Sequence, residues 1–208
     1  MVSSDEVPKR ALIFLHGHGS SAEQVPVALR EPAQDGLIRI CPSGPLPVDG
    51  GYSWFDSGPR GVEPASLHRA VHGVDQLVRG VTDDLGVDPS RVVVGGFSQG
   101  AATALALVIQ RGRAGLPPLG GLVLLAGFLP EMFDDELDPA EASVERVLLV
   151  HPSDDEVVPE FLAKHLVDSL AQSAAVNSVE YESVVGGHAI AGEMLDLTLG
   201  WLSGRPMR

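Results

Sequence analysis

Apolar positions in this chain fall into short blocks at regular intervals. Residues 11–16 (ALIFLH), 37–41 (LIRIC), 91–95 (RVVVG), 122–125 (LVLL), 146–151 (RVLLVH) and 179–185 (VEYESVV) are compact, mostly apolar runs. Runs of this length, rich in β-branched residues and bounded by turn formers, predict strands. The segments between them have another period. In 66–85, Leu67, Val71, Val74, Leu77, Val78 and Val81 recur at spacings of three and four and would share one helix face. Helices are also predicted over 101–110, 160–170 and 191–202. A shorter one is predicted within 21–33, where Pro26 and Pro32 limit its length.

Two segments have neither period. Residues 43–64 are rich in Gly, Pro and Asp. Ordered loops of about twenty residues are uncommon in compact domains, so this one reads as functional rather than as a linker. Residues 133–143 (FDDELDPAEAS) read as a solvated acidic surface segment. There is no internal repeat and no low-complexity tract. Alternating strands and helices, with several strands apolar throughout, predict an α/β fold: a mostly parallel central sheet with helices on both faces.

Composition narrows the choice of partners. The chain has 208 residues, 44% of them hydrophobic, which is enough for one core and one domain over 1–208. The formal net charge of −14 speaks against nucleic acid and anionic membrane surfaces, which require clustered Lys and Arg. The plain reading of that acidity is solubility. Cys41 is the single cysteine, so no internal disulfide is expected. The opening MVSSDEVPKR lacks the basic start and apolar stretch of a signal peptide, and no run of 18 apolar residues is present. A cytoplasmic protein without membrane insertion is the expectation.

Candidate chemistry begins at Gly96-Phe97-Ser98-Gln99-Gly100, where a predicted strand becomes a predicted helix. The bare G-x-S-x-G pattern is weak. An apolar strand before it and an Ala/Leu helix after it make it specific. The glycines leave room for a strained turn and for close packing of helix on strand, and the turn lifts the serine hydroxyl to the top of the sheet. The competing reading is a tight glycine turn with a helix-capping serine. A serine nucleophile needs a histidine base, and the base needs an orienting carboxylate. On such elbows they follow in the order serine, acid, histidine. His188 lies in VGGHAI after the sixth predicted strand, and Asp154 and Asp155 lie in HPSDDEVVP after the fifth. Local pattern alone does not separate the two aspartates. His151 reads as the structural end of a strand, and His165 as a helix residue.

FLHGHG, ICPSGP, SWFD, VVVGGFSQGAA, LLVHPSDDEVVP and GGHAI together resemble the bacterial carboxylesterase, phospholipase and acyl-protein thioesterase group of the α/β-hydrolase superfamily, over about residues 11–202. The family's acid block has the form H-G-x-x-D-x-x-V-P. Aligning His151 and Pro159 with it places the acid at Asp155. The resemblance implies that the backbone N–H of His18, between Gly17 and Gly19, is one oxyanion donor. The N–H of Gln99, which follows the nucleophile, would be the second. Trp54 matches the family block near the acyl pocket, although packing of the long loop is an equal reading. Phe128, Leu129 and Val157 are further pocket candidates. The resemblance also implies a homodimer.

The chain departs from its long-chain relatives at LPVDGG, residues 46–51. Those relatives carry a longer, methionine-rich apolar segment there. A long acyl tunnel needs continuous apolar lining, because each buried methylene contributes about 0.8 kcal/mol. The expected activity is therefore hydrolysis of short- to medium-chain acyl esters through an acyl-enzyme, with no cofactor and no metal. The alternatives are an acyl thioesterase or lysophospholipase with the same triad, and a non-catalytic small-molecule binding module on this fold. A cysteine nucleophile at Cys41 has no elbow around it. The pair His16 and His18 has no evident third metal ligand.

Overall fold

The computed structural model of the protein describes residues 10–32, 36–58, 61–131 and 137–204. The strands are β1 (Arg10–Leu15), β2 (Leu37–Ile40), β3 (Leu46–Val48), β4 (Gly51–Ser53), β5 (Ser57–Gly58), β6 (Gly61–Val62), β7 (Val92–Phe97), β8 (Gly121–Leu125), β9 (Arg146–Pro152) and β10 (Ser178–Val184). The α-helices are α1 (Val27–Arg30), α2 (Pro64–Arg79), α3 (Gln99–Arg113), α4 (Glu160–Leu170) and α5 (Gly192–Leu202).

Six strands form one sheet in the order β10–β9–β8–β7–β1–β2, and every neighbouring pair is parallel. Side chains alternate between its faces. Ile13, Leu15, Val94, Leu124 and Leu149 pack with Leu67, Val71, Leu105 and Leu166 of α2, α3 and α4 on one face. Leu12, Phe14, Val123, Leu125 and Val150 pack with Leu29, Met194 and Trp201 of α1 and α5 on the other. The sheet is thus covered on both sides, as continuously apolar strands require. The chain order reverses between β1 and β7, so a crevice opens at their carboxyl ends, where open α/β sheets bind their ligands.

The expected helix in 21–33 is much shorter than its window. A 3₁₀ turn at Ala22–Gln24 and the single turn of α1 are separated by Val25 and Pro26, whose missing N–H starts the helix afresh. Residue 33 lies outside the described residues. The long loop contains two small antiparallel hairpins, β3/β4 and β5/β6. The acidic segment is less solvated than expected. Its residues 133–136 lie outside the described residues, but Leu137, Ala142 and Ser143 are buried, and Ser143 N–H donates to Val108 O at 2.9 Å. The opening residues 1–9 are also outside the described residues. Among the described residues no helix is long and apolar enough to cross a membrane.

Two features fix the central helix. A Cβ on Gly100 would collide with the carbonyl oxygens of Leu15 and His16, and one on Gly96 would lie 2.7 Å from Leu15 O. Only glycine lets α3 sit this close to β1. Gly100→Ala is expected to cost about 3 kcal/mol or more in urea or thermal denaturation, through overpacking against rigid backbone. At the far side of α3, Asp75 of α2 accepts from Arg111 Nη1 at 2.7 Å and Arg79 Nε at 2.8 Å. Burial works against the Asp75 charge, but the two arginines hold its carboxyl below the ordinary 3.8. The pair therefore stabilises the fold above that value and ceases to do so as pH falls below it. Asp75→Asn is expected to lower stability at neutral pH by about 2 kcal/mol, by leaving Arg111 without its counter-charge. The gap to wild type should close in acid.

Candidate active site

The backbone at Ser98 has φ 52° and ψ −118°, a left-handed conformation rare outside glycine. Its N–H donates to Leu125 O at 2.8 Å, and its carbonyl accepts from Ala102 N at 3.0 Å. The turn is thus tied to β8 on one side and to the first turn of α3 on the other. The serine side chain makes no capping bond to α3, which excludes the capping reading. Its hydroxyl points instead to His188, with Oγ 2.8 Å from Nε2.

His188 Nδ1 lies 2.7 Å from Asp155 Oδ2. A carboxylate only accepts, so Nδ1 carries the proton and Nε2 is free to accept from Ser98. Asp155, not Asp154, makes this bond; Asp154 is exposed and its N–H donates to Gly186 O at 3.0 Å. The other oxygen of Asp155 accepts from the Val158 N–H at 2.8 Å and the Val157 N–H at 2.9 Å. Burial opposes the charge, yet these N–H donors and His188 outweigh it and hold the carboxyl below its ordinary value. The Phe97 ring packs against the imidazole, with centroids 4.9 Å apart. The three polar side chains come from loops after β7, β9 and β10, all at one edge of the sheet.

The two expected oxyanion donors sit beside Ser98. Gln99 opens α3, and His18 follows β1 across the crevice. Neither N–H has an acceptor among the described residues. The Gln99 side chain has a separate task that sequence reading missed. Its Oε1 accepts from Trp54 N at 2.8 Å, and its Nε2 donates to Phe55 O at 2.8 Å. The Ser53 hydroxyl bridges Gln99 Oε1 and Phe55 O at 2.9 Å each. Both are acceptors, so the Ser53 proton goes to one of them. His18 Nδ1, 3.1 Å from Ser53 Oγ, is then the donor in that contact.

Two cavities meet at Ser98, and His18 and Val157 line both. The first, about 560 Å³, is bordered by Phe14, Phe97, His188 and Ile190. The second, about 530 Å³, is bordered by Phe55, Gln99, Phe128 and Leu162. A third of about 530 Å³ lies beyond Phe128 and Leu162, which it shares with the second, and Leu129 lines only this one. Leu162 carries no motif, and Ile190 closes the GGHAI block without having been read as a pocket residue; neither was foreseen. Helix periodicity could have pointed to Leu162.

The pocket expectation for Trp54 is corrected. Trp54 is 3% exposed and lines none of these cavities. A buried indole N–H needs an acceptor, and Nε1 finds His16 O at 2.8 Å, which pins the long loop to the end of β1. Both ring nitrogens of His16 are engaged, Nδ1 with Gly17 O at 2.6 Å and Nε2 with the Gly44 N–H at 2.9 Å. Burial lowers its pKa, as a neutral ring in this arrangement requires. Cys41 is half-buried, and burial pushes its thiol up to about 11, far from a nucleophilic thiolate.

Known proteins resemble this chain over most of its length. The acyl-protein thioesterase 1 homolog 1 of Dictyostelium discoideum is 29% identical over 92% of this chain and 88% of its own. The crystal structure of Zea mays acyl-protein thioesterase 2 superposes with a TM-score of 0.72 at 25% identity, covering 98% of this chain and 96% of that one. That of Arabidopsis thaliana SOBER1 superposes with a TM-score of 0.75 at 23% identity over 95% and 99%, a likeness of fold. The phospholipase/carboxylesterase family profile matches residues 1–203, and the chain belongs to that family.

Proposed function

We propose that the protein is a serine carboxylesterase acting on short- to medium-chain acyl esters. The observation that carries this reading is the continuous hydrogen-bonded relay Ser98–His188–Asp155 on a strained turn between two cavities. Ser98 Oγ attacks the ester carbonyl while His188 Nε2 takes its proton. Asp155 holds the imidazole in the required tautomer and balances the imidazolium. The carbonyl oxygen becomes an oxyanion held by the N–H groups of His18 and Gln99, each worth roughly 2.7–4 kcal/mol in such holes. Collapse passes the proton from His188 to the leaving alcohol. Water, activated by His188, then hydrolyses the acyl-enzyme.

The cavities divide the substrate. The leaving alcohol must take a proton from His188, which lines the first cavity and not the second. The alcohol therefore belongs in the first and the acyl chain in the second, against Phe55, Phe128 and Leu162. In this reading the protein is a one-domain cytoplasmic enzyme for a small-molecule ester, and a homodimer by family resemblance. An acyl thioesterase is the second reading. It is favoured by the thioesterase relatives and by the apolar third cavity, which could receive a longer chain.

Hydrolysis of p-nitrophenyl esters from acetate to palmitate tests this. Wild type should turn over best at short to medium chains, and Ser98→Ala should lose about 10⁴-fold or more in kcat. A maximum at palmitate would replace the ester reading with the long-chain one, and no turnover at any length by folded protein would sink both. Asp155→Asn should keep the two backbone N–H bonds through its amide oxygen and turn its NH₂ toward His188. That forces the wrong imidazole tautomer, so kcat should fall about 10⁴-fold with stability nearly unchanged. Because Asp155 is held below 3.8 it stays ionised across the working range. Activity should therefore rise with pH on a single acid limb set by the histidine base.

A further inference from the structure

His151, near the end of β9, is fully buried and lines none of the three cavities described above. Its Nε2 lies 2.8 Å from Val158 O and 3.8 Å from Asp155 Oδ2. Its Nδ1 is buried and has no hydrogen-bond partner among the described residues. These facts fix the ring's state. A carbonyl oxygen only accepts, so Nε2 carries the proton. A second proton on Nδ1 would be a buried N–H with no acceptor, which costs more than the bare lone pair. The ring is neutral, with its single N–H directed at Val158 O and, at longer range, toward the carboxylate.

Val158 is the residue whose own N–H donates to Asp155 Oδ1. The turn 155–158 is therefore held from both sides: Asp155 grips two N–H groups, and His151 grips the carbonyl of the second residue. The other titratable group on Asp155 is His188; Asp154 and Glu156, on the same turn, are exposed. An apolar side chain at 151 would fill the space but leave Val158 O without this donor.

We propose that His151 is a positioning residue for the relay, fixing through Val158 the direction in which Asp155 presents Oδ2 to His188. This rests on the reading of Asp155 as the orienting acid. The test compares His151→Leu, which removes the N–H, with His151→Gln, which restores an N–H at similar reach. In His151→Leu, kcat for the best p-nitrophenyl ester should fall tenfold or more with KM within about twofold. The acid limb of kcat/KM should move to lower pH, because Oδ2 no longer lines up with the imidazolium. His151→Gln should recover most of kcat and the original limb. A folded Leu variant with kcat and limb unchanged would overturn the proposal, and so would a Gln variant as impaired as Leu. Nitrogen-15 NMR of histidine-labelled wild type gives an answer that needs neither variant nor turnover. His151 should hold the Nε2–H tautomer in the folded protein at neutral pH, and an Nδ1–H signal there would refute it. A wild type that hydrolyses no ester would instead count against the esterase reading and leave this measurement standing.

Discussion

Everything at the catalytic edge depends on one strained residue being held in place. Ser98 keeps a positive φ that costs of order 1–3 kcal/mol for a non-glycine residue. It persists because its neighbours permit no other path. β7 lies between β1 and β8, so the turn is bonded to Leu125 while α3 is drawn onto the end of β1. That approach is open only because Gly96 and Gly100 have no side chains. The strand order, the two glycines and the lifted hydroxyl are one structural fact. They also place the start of α3 opposite the loop after β1, so that Gln99 and His18 border the same crevice.

The charged end of the relay is built differently. Asp155 sits on a short turn rather than on a strand or helix, and such turns are mobile unless tied. Here it is tied by its own carboxylate, which accepts two successive backbone N–H groups and still offers its second oxygen to His188. Further along the same segment, Glu160 accepts from Lys164, Tyr181 and Ser183, each at 2.7 Å, and its carboxyl is pulled down to about 2. This anchors the start of α4 to β10. The aspartate and histidine loops are thereby held to one another as well as to the sheet.

Much of this was legible in the chain. The six runs became the six strands of the sheet, and the four inner ones, β1, β7, β8 and β9, are apolar almost throughout because both their faces are covered. Glycines around a serine at a change of period located the turn, since few other sequences tolerate such backbone. What stayed hidden depended on contacts distant in sequence. Nothing local distinguishes Asp154 from Asp155; the difference is which side chain faces the loop carrying His188. Trp54 sits in a block whose family match drew it toward the pocket, whereas its N–H is satisfied in the interior by His16 O. The hairpins in the long loop have two- and three-residue strands, too short for any period to show. The Gln99 side chain looked like an ordinary first-turn residue, and its link to Ser53, Trp54 and Phe55 spans more than forty positions.

That link has a consequence for how the enzyme can diversify. The Gln99 amide fastens the 53–55 wall of the second cavity to the same residue that offers an oxyanion N–H. A substrate that pushed this wall outward would drag the donor out of line, so the wall acts as a fixed gauge. The same cavity is bordered by Val157 and Leu162, whose apolar side chains are 66% and 37% exposed and make no hydrogen bond, the Val157 backbone alone being tied to Asp155. Changes of acyl preference among descendants of this sequence should therefore accumulate on the Val157–Leu162 side, where bulk can change without disturbing the chemistry.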